Sequence, residues 1–163
     1  MFLMFFSGTE FTMSYQRGIS MKVRDLLESK GKDVVSIDLD SSVEDAIRSM
    51  NARKISAIMV TDQGKTVGIF TERDVVRGYV LSGGKSFKEV QVKDAMIKDL
   101  IVAVPDDDLN DVAAILIEKG IRHLPVISDH KVIGMLSIRD IIQTQVSKLH
   151  AEIHYLKDFI TGA

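Results

Sequence analysis

A chain of 163 residues with 45% hydrophobic and 27% charged side chains is long enough to bury a core and has the balance of a folded domain. Its net charge of −2 gives no bulk pull toward nucleic acid or an acidic membrane, and the lack of cysteine excludes disulfides, thiolate catalysis and cysteine-bound metal. The apolar start, Met1-Phe2-Leu3-Met4-Phe5-Phe6, falls short of the ~20 residues that span a bilayer and of the ~7-residue core of a signal peptide. We therefore expect residues 1–20 to be either a disordered extension or a stretch that a later start at Met13 or Met21 leaves out, on a cytoplasmic protein with no membrane partner.

In chain order, Val23, Leu26 and Leu27 predict a short helix from Lys22 to Lys30, ended by Gly31. Val34 to Ile37 reads as a strand, and Asp40-Ser41-Ser42 supplies cap chemistry for a helix carrying Val43, Ala46, Ile47 and Met50. Ile55 to Thr61 and Thr66 to Phe70 read as two strands joined by a hairpin turn, Asp62-Gln63-Gly64-Lys65. Thr71 with Asp74 three residues later has the form of a capping box opening the next helix, which Gly83-Gly84 closes.

The order then recurs. Val92 to Met96 echoes the first short helix, and Ile101 to Val104 is expected as a strand. Pro105-Asp106-Asp107 leads into a helix bearing Leu109, Val112, Ala113, Leu116 and Ile117, closed by Gly120. Ile121 to Ile127, the turn Ser128 to Lys131, and Val132 to Leu136 form the second hairpin. The offset is 66 residues and holds without a gap from Val35/Ile101 to Arg77/Gln143, so that Gly68-Ile69-Phe70-Thr71-Glu72-Arg73-Asp74 aligns with Gly134-Met135-Leu136-Ser137-Ile138-Arg139-Asp140. Two copies are too few for a solenoid, so the expectation is an α+β fold. In it, two pseudo-symmetric β-α-β-β-α repeats, 21–87 and 88–145, pack sheet to sheet, and a long C-terminal helix follows over 146–163. That helix carries Ile142, Val146, Leu149, Ile153, Leu156 and Ile160 at heptad spacing, the mark of a seam. Its cover is expected to be a partner chain, the N-terminal segment or both, and a dimer contact is favoured over a tail docked on its own domain.

Two in-register copies of Gly-x-x-Thr/Ser-x-x-Asp, with Ile121-Arg122-His123-Leu124-Pro125-Val126 ahead of the second, resemble a tandem pair of cystathionine-beta-synthase (CBS) domains, the Bateman module. The resemblance covers Val23 to Gln143. It implies adenosine-containing ligands such as AMP, ADP, ATP or NAD in clefts between the repeats, and association as a homodimer. It further implies that Asp74 and Asp140 accept hydrogen bonds from ribose hydroxyls, and that Thr71 and Ser137 contact ribose or phosphate. Ile55-Ser56-Ala57 and Arg122-His123-Leu124-Pro125, next to Ile121, would line the adenine slot.

The residues have a chemistry of their own. A helix N-terminus presents unpaired N–H groups to an anion, and a nearby carboxylate suits a ribose diol. Arg73 and Arg77 lie four apart on one face and suit phosphate, whereas the second copy has Arg139 but Gln143. The two clefts should therefore differ in affinity. Lys54 and Arg122 add charge near the strand starts. The plainer reading of Thr71 and Asp74 is a helix cap, and of Gly68 and Gly134 a close backbone approach. His123 is either a plain strand histidine or an adenine contact. His150 and His154, four apart, read as a solvated helix face, and Asp106-Asp107-Asp108 as helix-start acids, so no metal is expected. No HExxH, GxSxG or P-loop pattern occurs, and nothing interleaves aromatic with basic residues. The expected function is a non-catalytic adenine-nucleotide sensor acting on a separate, unidentified protein. The alternative is a dimerisation module with no physiological ligand.

Overall fold

The computed structural model describes residues 21–31 and 33–161. The extension expected over 1–20 lies outside the described residues.

Local hydrogen bonding starts the helices where side chains can supply it. α2 (Val43–Arg53) opens at Ser42, whose hydroxyl accepts the Asp45 N–H at 3.0 Å. α3 (Glu72–Leu81) opens at Thr71, and α6 (Ile138–Thr161) follows Ser137. α5 (Leu109–Glu118) is capped by Asp108, which accepts the Asn110 N–H at 2.8 Å. Asp107 accepts the Val104 N–H and Asp106 pairs with Arg24, so all three acids serve the helix start and its surroundings. α1 (Val23–Lys30) ends at Gly31, and α4 (Val92–Ala95) is a single turn.

The first half builds a three-stranded sheet in the order β1 (Ser36–Asp38), β2 (Ala57–Asp62), β3 (Lys65–Thr71), with β1 parallel to β2. The second half has the hairpin of β4 (His123–Ser128) and β5 (Lys131–Ser137). Both hairpins bulge at the same place, Val60/Thr61 and Val126/Ile127. Both also turn on two residues with positive φ, Gln63-Gly64 and Asp129-His130.

The strand expected over Ile101 to Val104 does not form; only an isolated parallel bridge, Ala103 to Val126, stands in its place. Proline explains the difference. In the first half, Met59 N–H donates to the Val35 carbonyl and Leu39 N–H to the Thr61 carbonyl, holding β1 on both sides. Sixty-six residues on, the donors Met59 and Leu39 become Pro125 and Pro105, the chain's two prolines, and neither has an N–H. What survives is Ala103 N–H to the Pro125 carbonyl and Ile127 N–H to the Ala103 carbonyl, both at 2.9 Å.

Each short leading helix packs on the other half. α1 buries Val23, Leu26 and Leu27 with Ala103, Val112, Leu116, Leu124 and Ile141 of the second half. α4 buries Val92 and Ala95 with Val43, Ala46, Ile58 and Phe70 of the first. The backbone repeats the exchange: Val23 N–H and Arg24 N–H bond to the Asp107 and Pro105 carbonyls, as Val92 N–H and Lys93 N–H bond to those of Ser41 and Leu39. A third cluster joins the sheets, with Ala57, Met59 and Ile69 facing Val132 and Met135. The two halves therefore meet sheet to sheet, and the crossed helices make their union obligatory.

Gly68 and Gly134 serve the close approach. A Cβ on Gly68 would lie 2.7 Å from the Ile97 carbonyl oxygen, and one on Gly134 would lie 2.6 Å from a Leu27 methyl.

Candidate functional site

The sharp turn from β3 into α3 places Thr71 and Asp74 together at a helix N-terminus. Asp74 Oδ2 accepts the Thr71 N–H at 2.9 Å and its hydroxyl at 2.7 Å, and the side chain is buried. Arg77, one turn along, has Nη1 3.8 Å from Asp74 Oδ1. Arg73 reaches across to the second half and donates to the Gly120 carbonyl.

These residues form one wall of a cleft of about 300 Å³ between the halves. The facing wall is Lys119, Gly120, Ile121, Arg122, His123 and Pro125 of the second half. Ile97, Asp99, Leu100 and Ile101, from the segment connecting the halves, close one side, and Ser56 and Ile69 complete it. Four cationic side chains (Arg73, Arg77, Lys119, Arg122) face three carboxylates (Glu72, Asp74, Asp99). With a helix N-terminus in the same wall, the polar end suits an anion. Ile69, Ile97, Ile101, Ile121 and Pro125 provide apolar surface for a flat ring.

The second motif closes on itself differently. Asp140 Oδ2 accepts the Ser137 N–H at 2.9 Å and hydroxyl at 2.8 Å, the same cap as at Asp74. It also receives Lys30, from the end of α1, at 2.5 Å, and that ammonium donates to the Met135 carbonyl at 2.7 Å. Burial pushes the Asp140 carboxyl up, but the bonds from Lys30 and Ser137 outweigh it and hold the group below its ordinary value.

Between the motifs, His123 Nε2 lies 2.9 Å from Ser56 Oγ, joining the two halves. Burial pushes this imidazole below its ordinary value, against the pull of the Asp140 and Glu72 carboxylates.

The family pattern described as CBS domain matches residues 23–80 and again 92–147. The chain belongs to the CBS-domain family. It is 33% identical over 152 residues to a mitochondrial CBS domain-containing protein of Arabidopsis thaliana, CBSX3, covering 88% of this chain and 73% of that one. Of two archaeal relatives it spans only about half, 45% and 54%. Among solved structures, the CBS domain NE2398 is 40% identical, with a TM-score of 0.74 over 77% of this chain and 98% of that one. The CBS pair of MJ0100, in complex with 5′-methylthioadenosine and S-adenosyl-L-methionine, has a TM-score of 0.69 over 79% of this chain and 98% of that one. At 23% identity this likeness concerns the fold alone.

Of the residues nominated from sequence, the open CBS cleft gathers Thr71, Arg73, Asp74, Arg77 and Ser56 from the first repeat and Ile121, Arg122, His123 and Pro125 from the second. It does not include the others. Ser137 and Asp140 stand at the second motif with Lys30, and Arg139 is exposed. Lys54 is the exposed left-handed cap of α2, and Ile55 packs against the first core. Ala57 lies in the cluster between the sheets, and Leu124 is fully buried in the second core. Sequence reasoning missed Lys119 and Gly120, which directly precede the nominated segment, and Asp99 to Ile101, which the 66-residue offset ties to the lead of β1. Lys30 had no signal at all. His150 and His154 are exposed, with His154 near Asp158, and among the described residues no acidic or histidine cluster has metal-site geometry.

Proposed function

We propose that this CBS pair is a non-catalytic module that binds one adenosine mononucleotide in the cleft between Thr71-Asp74 and Ile121–Pro125. The observation that carries the reading is the joining of a buried ribose-type acceptor, a helix N-terminus, four cationic side chains and an apolar slot in one space. Asp74 would take a ribose hydroxyl, Thr71 and the α3 N-terminus the phosphate side, Arg77 and Arg122 the phosphate charge, and Ile101, Ile121 and Pro125 the adenine. A volume of about 300 Å³ sits at the small end of ligand sites, which favours AMP or ADP over NAD. The fold shared with MJ0100 is compatible with adenosine compounds, but the assignment rests on this cleft's own residues. At the second motif Lys30 already occupies the carboxylate a second ribose would need.

Signal output would pass through protein contacts. Val76, Tyr79 and Val80 on α3 are exposed, as is the apolar seam of α6, and the reading includes a homodimer through these faces that responds to nucleotide and acts on a separate protein. No described helix is long and apolar enough to cross a membrane.

The test is a thermal-shift panel of AMP, ADP, ATP, NAD and S-adenosylmethionine. Ligand at about 100 times its Kd adds roughly 2.7 kcal/mol, or ~5–10 °C for a chain of this size. A shift with a mononucleotide, lost in Asp74→Ala, supports the reading. No shift with any compound replaces it with the dimerisation module.

A further inference from the structure

α6 leaves the body of the molecule. Its first turns are held by buried Ile141 and by Gln145, which donates to the Asn110 side chain at 3.1 Å. From Gln145 to Lys157 every side chain is exposed, apolar ones included. The seam Ile142, Val146, Leu149, Ile153, Leu156, Ile160 is 43–79% exposed and about 27 Å long. Helices in proteins owe most of their stability to packing an apolar face, so the seam calls for a cover.

Its composition selects the cover. Spacing of 4, 3, 4, 3, 4 makes Ile142, Leu149 and Leu156 the d positions and Val146, Ile153 and Ile160 the a positions. Every a residue is β-branched and two of the three d residues are leucine, the pattern that among parallel coils favours two strands. The flanks agree. Glu152 falls at g and Lys157 at e, and in a parallel pair g faces the e position five residues on in the other helix. Glu152 of each copy then meets Lys157 of the other. An antiparallel pair at full overlap would instead set Glu152 against Glu152.

We infer that α6 pairs with α6 of a second copy as a parallel two-stranded coiled coil. This inference rests on the homodimer proposed above and adds its orientation. About two and a half heptads form a short coil, so it supplements contacts of the globular part rather than replacing them.

The absence of cysteine allows a direct test in the full chain. Ile142→Cys, Leu149→Cys and Leu156→Cys are each made singly, with Lys148→Cys at an outward position as control. Circular dichroism confirms folding, and light scattering gives the mass of the unsubstituted chain. The expectation is a dimer, with disulfide cross-linking under mild oxidation at all three d positions and none at the control. Glu152→Lys should raise the dimer Kd about fivefold through two repulsive pairs, and adding Lys157→Glu should restore it. A monomeric chain overturns both this inference and the homodimer. A dimer that cross-links at one d position or none, or equally at the control, overturns the parallel coil alone. That pattern would be given by an antiparallel pair or by residues 1–20 folding back over the seam.

Discussion

Replacing Lys30 with methionine should open the second cleft. Lys30 Nζ sits 2.5 Å from Asp140 Oδ2 and 2.7 Å from the Met135 carbonyl, and the Lys30 and Asp140 side chains are both under one-third exposed. A charge-assisted hydrogen bond is worth about 1.5–3 kcal/mol when shielded. Partial exposure discounts it, and methionine keeps most of the apolar stem, so a net loss of about 1 kcal/mol is expected. For a chain of 163 residues that lowers Tm by roughly 2–4 °C. The functional effect should be larger. With the ammonium gone, Asp140 and Ser137 stand as Asp74 and Thr71 do in the open cleft. Calorimetric titration with AMP should move from one site per chain in the parent to two in Lys30→Met, the new site being the weaker because Gln143 replaces Arg77. Two sites in the parent, or one in both proteins, would refute the view that Lys30 holds the second cleft shut.

Arg77→Ala should weaken AMP binding about tenfold and adenosine binding much less, since the long 3.8 Å pair with Asp74 is a smaller loss than the phosphate contact; parallel titrations check this. Gly68→Ala should destabilise more than Gly134→Ala. The first forces the added methyl onto the Ile97 backbone, whereas the second meets a Leu27 side chain, at an overpacking cost of about 1–3 kcal/mol measured by urea unfolding. His123 has a lowered folded-state value, so the unfolded chain takes up its proton first. Its contribution is complete above the unfolded value of 6.5 and is lost as pH falls through the window between 6.5 and the folded value. The urea midpoint should therefore drop between about pH 7 and pH 5.5 in the parent and drop less in His123→Gln. The Asp140 pair contributes above the unfolded value of 3.8 and is lost only in more acidic solution, so the two slopes separate.

Much of the fold was legible because its signals are local. The capping boxes at Ser42, Thr71 and Ser137 close within three residues, and the hairpin turns within two, so side-chain identity alone settles where these helices and strands begin. The repeat added the pairing of halves, since two copies of one pattern have two equal faces to bury. Even the lost strand at Ile101 to Val104 was written in Pro105 and Pro125, but only the hydrogen bonds of the first half show which donors they remove.

What the linear order could not decide are the contacts between distant segments that compete for one partner. Residue order is enough for two motifs of nearly equal chemistry, the elements that carry them, and the heptad register of α6. Tertiary structure decided that α1 crosses to the second core and α4 to the first. Because α1 crosses, its last residue, Lys30, arrives beside Asp140, 110 positions away, while Asp74 has only Arg77 of its own helix, at 3.8 Å, and keeps its cleft. An ammonium beside a carboxylate is a matter of a few ångströms, and only the packing of helix on sheet sets that distance.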